Sequence, residues 1–149
     1  MGLEKDINQY KFRNQQQKAI INLLYTHNWV MERIKKFVAE ENITPQQYNM
    51  LRILRGSYPT PLSTLQIRDR MLDKMSDTSR IVDRLILKNL VKKTVSSADK
   101  RLVDVVITEQ GQAVLQRLDE KNIEMDNVIN HLDENEMTQL NVLLDKIRG

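Results

Sequence analysis

The chain contains no cysteine, and that absence removes disulfides, thiolate metal ligands, thiol nucleophiles and thiol-based redox sensing together. A reducing interior is the simplest setting for such a chain. Glycine and proline are scarce, at four and three residues in 149, and aromatics make up only 5%. Such a composition favours helices with few loops. No apolar run approaches the roughly 18 residues that a membrane helix needs. Residues 1–17 are polar and lack the apolar centre of a signal peptide. The expectation is a soluble, cytoplasmic protein with no membrane partner. Glycine-rich phosphate loops, nucleophile elbows and HExxH-type zinc motifs are missing as well. The two histidines, His27 and His131, lie far apart and make neither a catalytic site nor a metal cluster. No enzyme activity, metal or cofactor is expected.

What is present is charge, unevenly spread. The net charge is only +3, but residues 50–101 carry +7 and residues 102–149 carry −6. A basic segment between a near-neutral and an acidic one is the footprint of a nucleic-acid-binding module set in a non-binding scaffold. A solvated charged surface is the alternative that charge alone leaves open.

The length suits one domain with a helical extension. Helix starts are legible in Ile43-Thr44-Pro45-Gln46-Gln47-Tyr48, in Leu62-Ser63-Thr64-Leu65-Gln66-Ile67 and in Leu132-Asp133-Glu134-Asn135-Glu136-Met137. Each places a capping side chain three residues before Gln or Glu, between flanking apolar residues. Helices are therefore predicted to begin near Pro45, Thr64 and Glu134. Ile20, Leu23, Leu24, His27, Val30, Met31, Ile34, Phe37 and Val38 recur at helical spacing. They predict a long helix over residues 8–41, which exceeds a compact interior and buries part of its face against a second chain. The second helix ends at Gly56, before a rigid Ser57-Tyr58-Pro59-Thr60-Pro61 linker. A fourth helix carries Met75, Thr78, Ile81, Val82, Leu85 and Ile86 as one buried stripe and stops at Asn89, a residue suited to a left-handed cap. Residues 90–94 and 101–107 read as two strands around a polar tip at residues 95–100. Thr108 caps a fifth helix whose apolar positions continue to Leu132, and a last helix carries Leu140, Leu143, Leu144 and Ile147.

Helix, helix, recognition-type helix and hairpin, in that order, make a winged helix-turn-helix. The fold expected is mainly α with a small β-hairpin wing. A DNA-binding lobe spans residues 43–107, and a helical dimerisation region spans 1–41 and 108–149. Ser76, Asp77, Thr78, Ser79, Arg80 and Arg84 occupy the exposed end of the recognition helix, with Thr64 at the start of the helix before it. Arginine there reaches guanine edges and hydroxyls reach bases or phosphates. Asp73 or Ser76 serves as the helix cap, and Asp77 and Arg80 have a surface ion pair as their alternative role. At the hairpin tip, Asp99, Lys100 and Arg101 put long cations where a minor groove is reachable, with Asp99 orienting Arg101 through a bidentate bond. Stabilising the turn is the other role open to that pair.

Ser79-Arg80-Ile81-Val82-Asp83-Arg84-Leu85, Lys88-Asn89-Leu90-Val91, Asp99-Lys100-Arg101 and Ile107-Thr108-Glu109-Gln110-Gly111, in this order, resemble the multiple antibiotic resistance regulator (MarR) family. The resemblance covers residues 43–118 by motif and the flanking helices by layout. It implies a homodimer whose terminal helices interleave, Arg101 as the minor-groove wing arginine, and a pseudo-palindromic operator. It also implies a bacterial repressor relieved by a small aromatic ligand, for which Trp29, His27 and Tyr48 are candidate lining residues and core or interface packing the alternative. The chain departs from the family in having Asn89 where glycine is common, which a left-handed cap tolerates. Its lack of cysteine argues against the peroxide-sensing branch. A winged-helix module that binds protein instead of DNA is the contrasting function.

Overall fold

Each main helix begins where a short polar side chain takes over hydrogen bonds that the first turn cannot make internally. The computed structural model describes residues 2–96, 99 and 103–149. Its elements run α1 (Leu3–Asp6), α2 (Gln15–Ala39), α3 (Pro45–Ser57), β1 (Leu62–Ser63), α4 (Thr64–Arg70) and α5 (Thr78–Leu87). Then follow β2 (Val91–Val95), β3 (Val103–Ile107), α6 (Glu109–Asp119), α7 (Asn122–Asp126), a 3-10 turn at Asn127–Ile129 and α8 (Glu134–Arg148). Reciprocal capping boxes join Thr44 to Gln47, Ser63 to Gln66 and Asp133 to Glu136. All three expected starts are therefore formed as the sequence predicts.

Three elements differ from expectation. The long helix starts at Gln15 instead of near residue 8, because Asn8 adopts a left-handed φ of 52° and Asn14 supplies the cap. The segment before it forms the short α1, held against α2 by buried Leu3 and by an ion pair between Glu4 and Lys18. The Lys18 ammonium holds the Glu4 carboxyl below the ordinary glutamate range. That tie is therefore intact at neutral pH and is lost as pH falls through the lowered value. The helix expected to run from Thr108 to Leu132 is instead broken after Asp119 into α6, α7 and the 3-10 turn. The polar run Asp119-Glu120-Lys121-Asn122 offers no apolar side chain to hold a continuous helix on the core, and two of its members are pulled sideways. Asp119 accepts from Arg55 at 2.6 Å, and Lys121 pairs with Glu40. Finally, the wing carries a third strand. β1 pairs antiparallel with β3 through Leu62↔Val105 and Ser63↔Asp104, giving the order β1-β3-β2. Two residues are too few to show the alternation by which strands are read from sequence.

The core is one cluster. Met50, Leu51 and Leu54 from α3 meet Val38, Ile67, Met71, Val82, Leu85, Val105, Ile107, Leu115 and Leu118, all fully buried. α3 thus lies against α2, α4, α5, β3 and α6. β3 breaks the alternation of a half-buried strand at its end: Val105, Val106 and Ile107 are all buried, so this stretch is covered on both faces.

A close junction ties the recognition helix, the wing and α6 together. α5 ends in a Schellman motif, with the Asn89 N–H donating to the Ile86 carbonyl and the Leu90 N–H to that of Leu85, at 2.9 and 3.0 Å. Asn89 takes the left-handed φ of 60° that this requires. Thr108 then clasps the turn: its N–H donates to the Leu90 carbonyl at 3.1 Å and its hydroxyl to the Asn89 carbonyl at 2.7 Å. The same hydroxyl accepts from the Gly111 N–H at 3.1 Å as the cap of α6. A Cβ on Gly111 would lie 2.3 Å from the Leu90 carbonyl oxygen and 2.7 Å from Ile107.

Helix propensity alone favours alanine over glycine by about 1 kcal/mol. A backbone oxygen, however, does not rotate away from an added methyl. Gly111→Ala is therefore expected to lower stability by roughly 1–3 kcal/mol, read as a lower urea midpoint at unchanged m-value. A midpoint at or above that of the parent chain would refute the close-approach account.

Candidate nucleic-acid interface

The turn between α4 and α5 is held from beneath by α3. Asn49 accepts the Leu72 N–H at 2.9 Å, and the Gln46 amide donates to Asp73 at 3.3 Å. Asp73 also accepts the Met75 N–H at 2.9 Å, while the Ser76 hydroxyl donates to the Asp73 carbonyl at 2.8 Å. These bonds make a closed turn that aims the start of α5 outward. Asn49 and Gln46 serve this purpose from a distant part of the chain, so no local pattern marks them.

The cap of α5 is neither Asp73 nor Ser76 but Asp77, whose carboxylate accepts the Arg80 N–H at 3.1 Å. Asp77 and Arg80 therefore meet through a backbone N–H, and Asp77 serves as a helix terminus. Met75 precedes the cap, so it leaves the expected buried stripe and stands 92% exposed. Thr78, Ile81, Val82 and Leu85 do form the stripe.

Thr64, Ser76, Asp77, Thr78 and Ser79 come together around one concavity of about 360 Å³, joined there by Leu65 and Arg68. Neither of the last two was singled out in the sequence. The signal available for Arg68 was its position four residues after Thr64, on the same side of α4. Arg80 and Arg84 stand exposed farther along α5. Among the described residues, the side chains of Arg68, Arg70, Arg80 and Arg84 have no ion-pair or hydrogen-bond partner. By contrast, Arg55 and Arg117 on the body of the molecule are held in forked contacts by Asp119 and Glu41. The guanidinium of Arg117 is pushed above its ordinary range, chiefly by the Glu41 hydrogen bond. Exposed guanidinium groups without a carboxylate among the described residues are a field available to an anionic partner.

On the wing, Lys93 of β2 pairs with Asp83 of α5 at 2.8 Å, which ties the hairpin to the recognition helix. The Asp99 N–H points to the Ser96 hydroxyl at 3.4 Å. Lys100 and Arg101, the cationic tip expected from the sequence, lie outside the described residues, and so does the Asp99–Arg101 bond.

The three candidate ligand residues separate. Trp29 lines a cleft of about 520 Å³ between α2 and α7, with Arg33, Lys36, Phe37, Met125 and His131. The Arg33 guanidinium sits 3.3 Å from the Trp29 ring centroid and donates to the Trp29 carbonyl at 2.9 Å. His27 is exposed on α2 outside that cleft. Tyr48 packs edge-on against Phe37, with centroids 6.2 Å apart. It behaves as a core residue.

No protein-family model matches the chain. Its sequence is similar to the HTH-type transcriptional regulator MhqR of Bacillus subtilis, with 25% identity over 131 residues, 87% of this chain and 89% of that one. A solved MarR transcription factor from Planctomyces limnophilus is 29% identical, with a TM-score of 0.68 over 91% of this chain and 98% of the other. A mutant MarR from E. coli complexed with operator DNA is 18% identical, with a TM-score of 0.82 over 93% and 99% of the two chains. This last likeness is one of fold.

Replacing the cap isolates its part in the interface. Asp77→Ala is expected to cost about 1 kcal/mol of stability, and Asp77→Asn, which keeps an acceptor, to recover most of it. Equal urea midpoints for the alanine variant and the parent chain would remove Asp77 from the cap position.

Proposed function

We propose that the chain is a MarR-type winged-helix transcription regulator that binds a pseudo-palindromic DNA operator as a homodimer and represses transcription there. The observation that carries this reading is the set of exposed arginines on α4 and α5, without partners among the described residues and in the most basic third of the chain, one of which lines the concave start of α5. Arg80 and Arg84 project from α5 toward base edges in the major groove. Lys100 and Arg101 extend the contact to the minor groove from the wing. The regulators among the relatives favour this over both an enzyme and a protein-binding module. A protein that acts on chromosomal DNA works in the bacterial cytoplasm.

Two copies are needed for a two-fold operator, and the apolar residues left uncovered suit that need. Ile20 and Leu24 on α2 and Leu143 and Ile147 on α8 are each more than half exposed. Large apolar side chains exposed at helical spacing on these two helices fit an interaction site. The terminal helices around residues 1–41 and 108–149 form the dimerisation region, and residues 43–107 form the DNA-binding lobe.

The Trp29 cleft suits a small planar effector with an acidic group. Its ring would stack on the indole and its charge would pair with Arg33. The cleft is bounded by α2 on one side and α7 on the other, both in the dimerisation region, so an occupant acts on the lobe through the packing of α2 against α3.

Binding to duplex DNA is expected to weaken steeply with added salt, as several phosphate contacts require. Arg80→Ala should reduce discrimination between a selected duplex and a random one by about 1–3 kcal/mol. Arg101→Ala should lower affinity while the dimer stays intact. Failure to bind any duplex at low salt would overturn the regulator reading.

Trp29 is the one tryptophan of the chain, so its emission reports on the cleft. Benzoate-type aromatic acids that release the DNA are expected to quench it at the same concentrations. Release without any change in emission would place the effector elsewhere.

A further inference from the structure

We propose that the concavity between α4 and the start of α5 is the seat of a single DNA backbone phosphate, with Arg68 as its cation. The proposal rests on the DNA-binding reading above and divides the contact face into a part that grips and a part that reads.

Three independent features converge on the seat. Arg68 lines it with an exposed guanidinium that has no partner among the described residues, one helical turn from Thr64. Next, the first turn of α5 leaves donors free. Asp77 takes the Arg80 N–H with its carboxylate and the Ile81 N–H with its carbonyl. The Thr78 and Ser79 N–H groups have no acceptor among the described residues and point along the positive end of the helix dipole. Last, Thr78 is 6% exposed, lines the same concavity and carries a buried hydroxyl oxygen with no hydrogen-bond partner among the described residues. Buried hydroxyls are paired almost without exception, so an orphan beside a cavity marks a place where an occupant supplies the missing bond.

The occupant is a phosphate for reasons of shape and charge. Base edges lie recessed in a groove and are reached by side chains that project, as Arg80 and Arg84 do. A concave seat takes a group that projects toward the protein, which on a duplex is the phosphodiester. Exposed Leu65 on the rim offers an apolar surface to the adjoining deoxyribose. Asp77 also lines the seat, and its negative charge holds the anion toward Arg68 and the Thr78 and Ser79 amides, away from the cap itself. Phosphate contacts of this kind position a protein on DNA without reading its sequence. Arg68 therefore sets affinity and register, and the exposed arginines of α5 set preference.

The test compares the full-length chain with Arg68→Ala and Arg80→Ala on a duplex selected by the parent chain and on a scrambled one, across a salt series. Arg68→Ala is expected to weaken both duplexes by the same factor, about tenfold or more for one charge-assisted contact. It should also flatten the log–log salt slope by about one. Thermal unfolding should be unchanged, since the side chain is exposed. One neutral methylphosphonate in each half-site should weaken the parent chain but add nothing to the loss in Arg68→Ala. A variant that binds both duplexes as tightly as the parent, or that still suffers the full methylphosphonate penalty, would overturn the seat. Competition by millimolar inorganic phosphate at constant ionic strength, lost in Arg68→Ala, would reassign the seat to a free anion. If the parent chain binds no duplex at all, the regulator reading falls and the seat falls with it.

Discussion

The contact between Gly111 and the Leu90 carbonyl is the constraint on which the packing of α5, the β2–β3 hairpin and α6 is built. Leu90 closes the cap of α5, which ends at Leu87, and immediately precedes β2, which starts at Val91, so whatever fixes its carbonyl fixes both. Thr108 binds that carbonyl from one side, and the bare α-carbon of Gly111 lets α6 press on it from the other. Without this approach, α6 would stand away from β3, and Leu115 and Leu118 would lose the interior that they share with Met50 and Leu54. The Thr-Glu-Gln-Gly run that looks in sequence like a family signature is, in physical terms, a cap and a clearance set three residues apart.

A rigid lobe matters because its polar work is done by exposed groups that have no packing of their own. Arg68, Arg80 and Arg84 take their positions entirely from the helices beneath them. Those helices are fixed by the buried stripe of α5, by Asn49 and Gln46 under the turn, and by Lys88, whose ammonium donates to the Asn42 carbonyl and to Gln47. Lys88 is the one link described between the end of the recognition helix and the turn that follows the long α2. Charge is distributed to match. Arg55, Arg117 and Lys121 of the body are tied to carboxylates of α2 and α6 or the turns beside them, whereas Arg68, Arg70, Arg80 and Arg84 have no such partner among the described residues.

Most of the fold was readable because its signals are local. Capping boxes, the Asn89 cap and the Thr108 cap each need only a few adjacent residues, and all are formed. The features that escaped depend on distant partners. The break after Asp119 reflects ion pairs with Arg55 and Glu40, distant in the same chain, and β1 exists only through its pairing with β3. Asp77 instead of Asp73 became the cap because the turn ahead of it consumes Asp73 from several directions. In the interface, hydroxyls and arginines of α5 were legible as a cluster, since they adjoin in sequence. Arg68 was not, because its role depends on α4 and α5 meeting at an angle that no spacing encodes.

The last helix has a consequence of a different kind. No residue of α8 is buried within one chain, so its order and that of its apolar side are supplied by the second copy in the proposed dimer. Folding and pairing then become one equilibrium that depends on protomer concentration. While dimers are scarce their concentration rises as the square of the protomer concentration, so a twofold fall in protomer concentration lowers that of the dimer about fourfold.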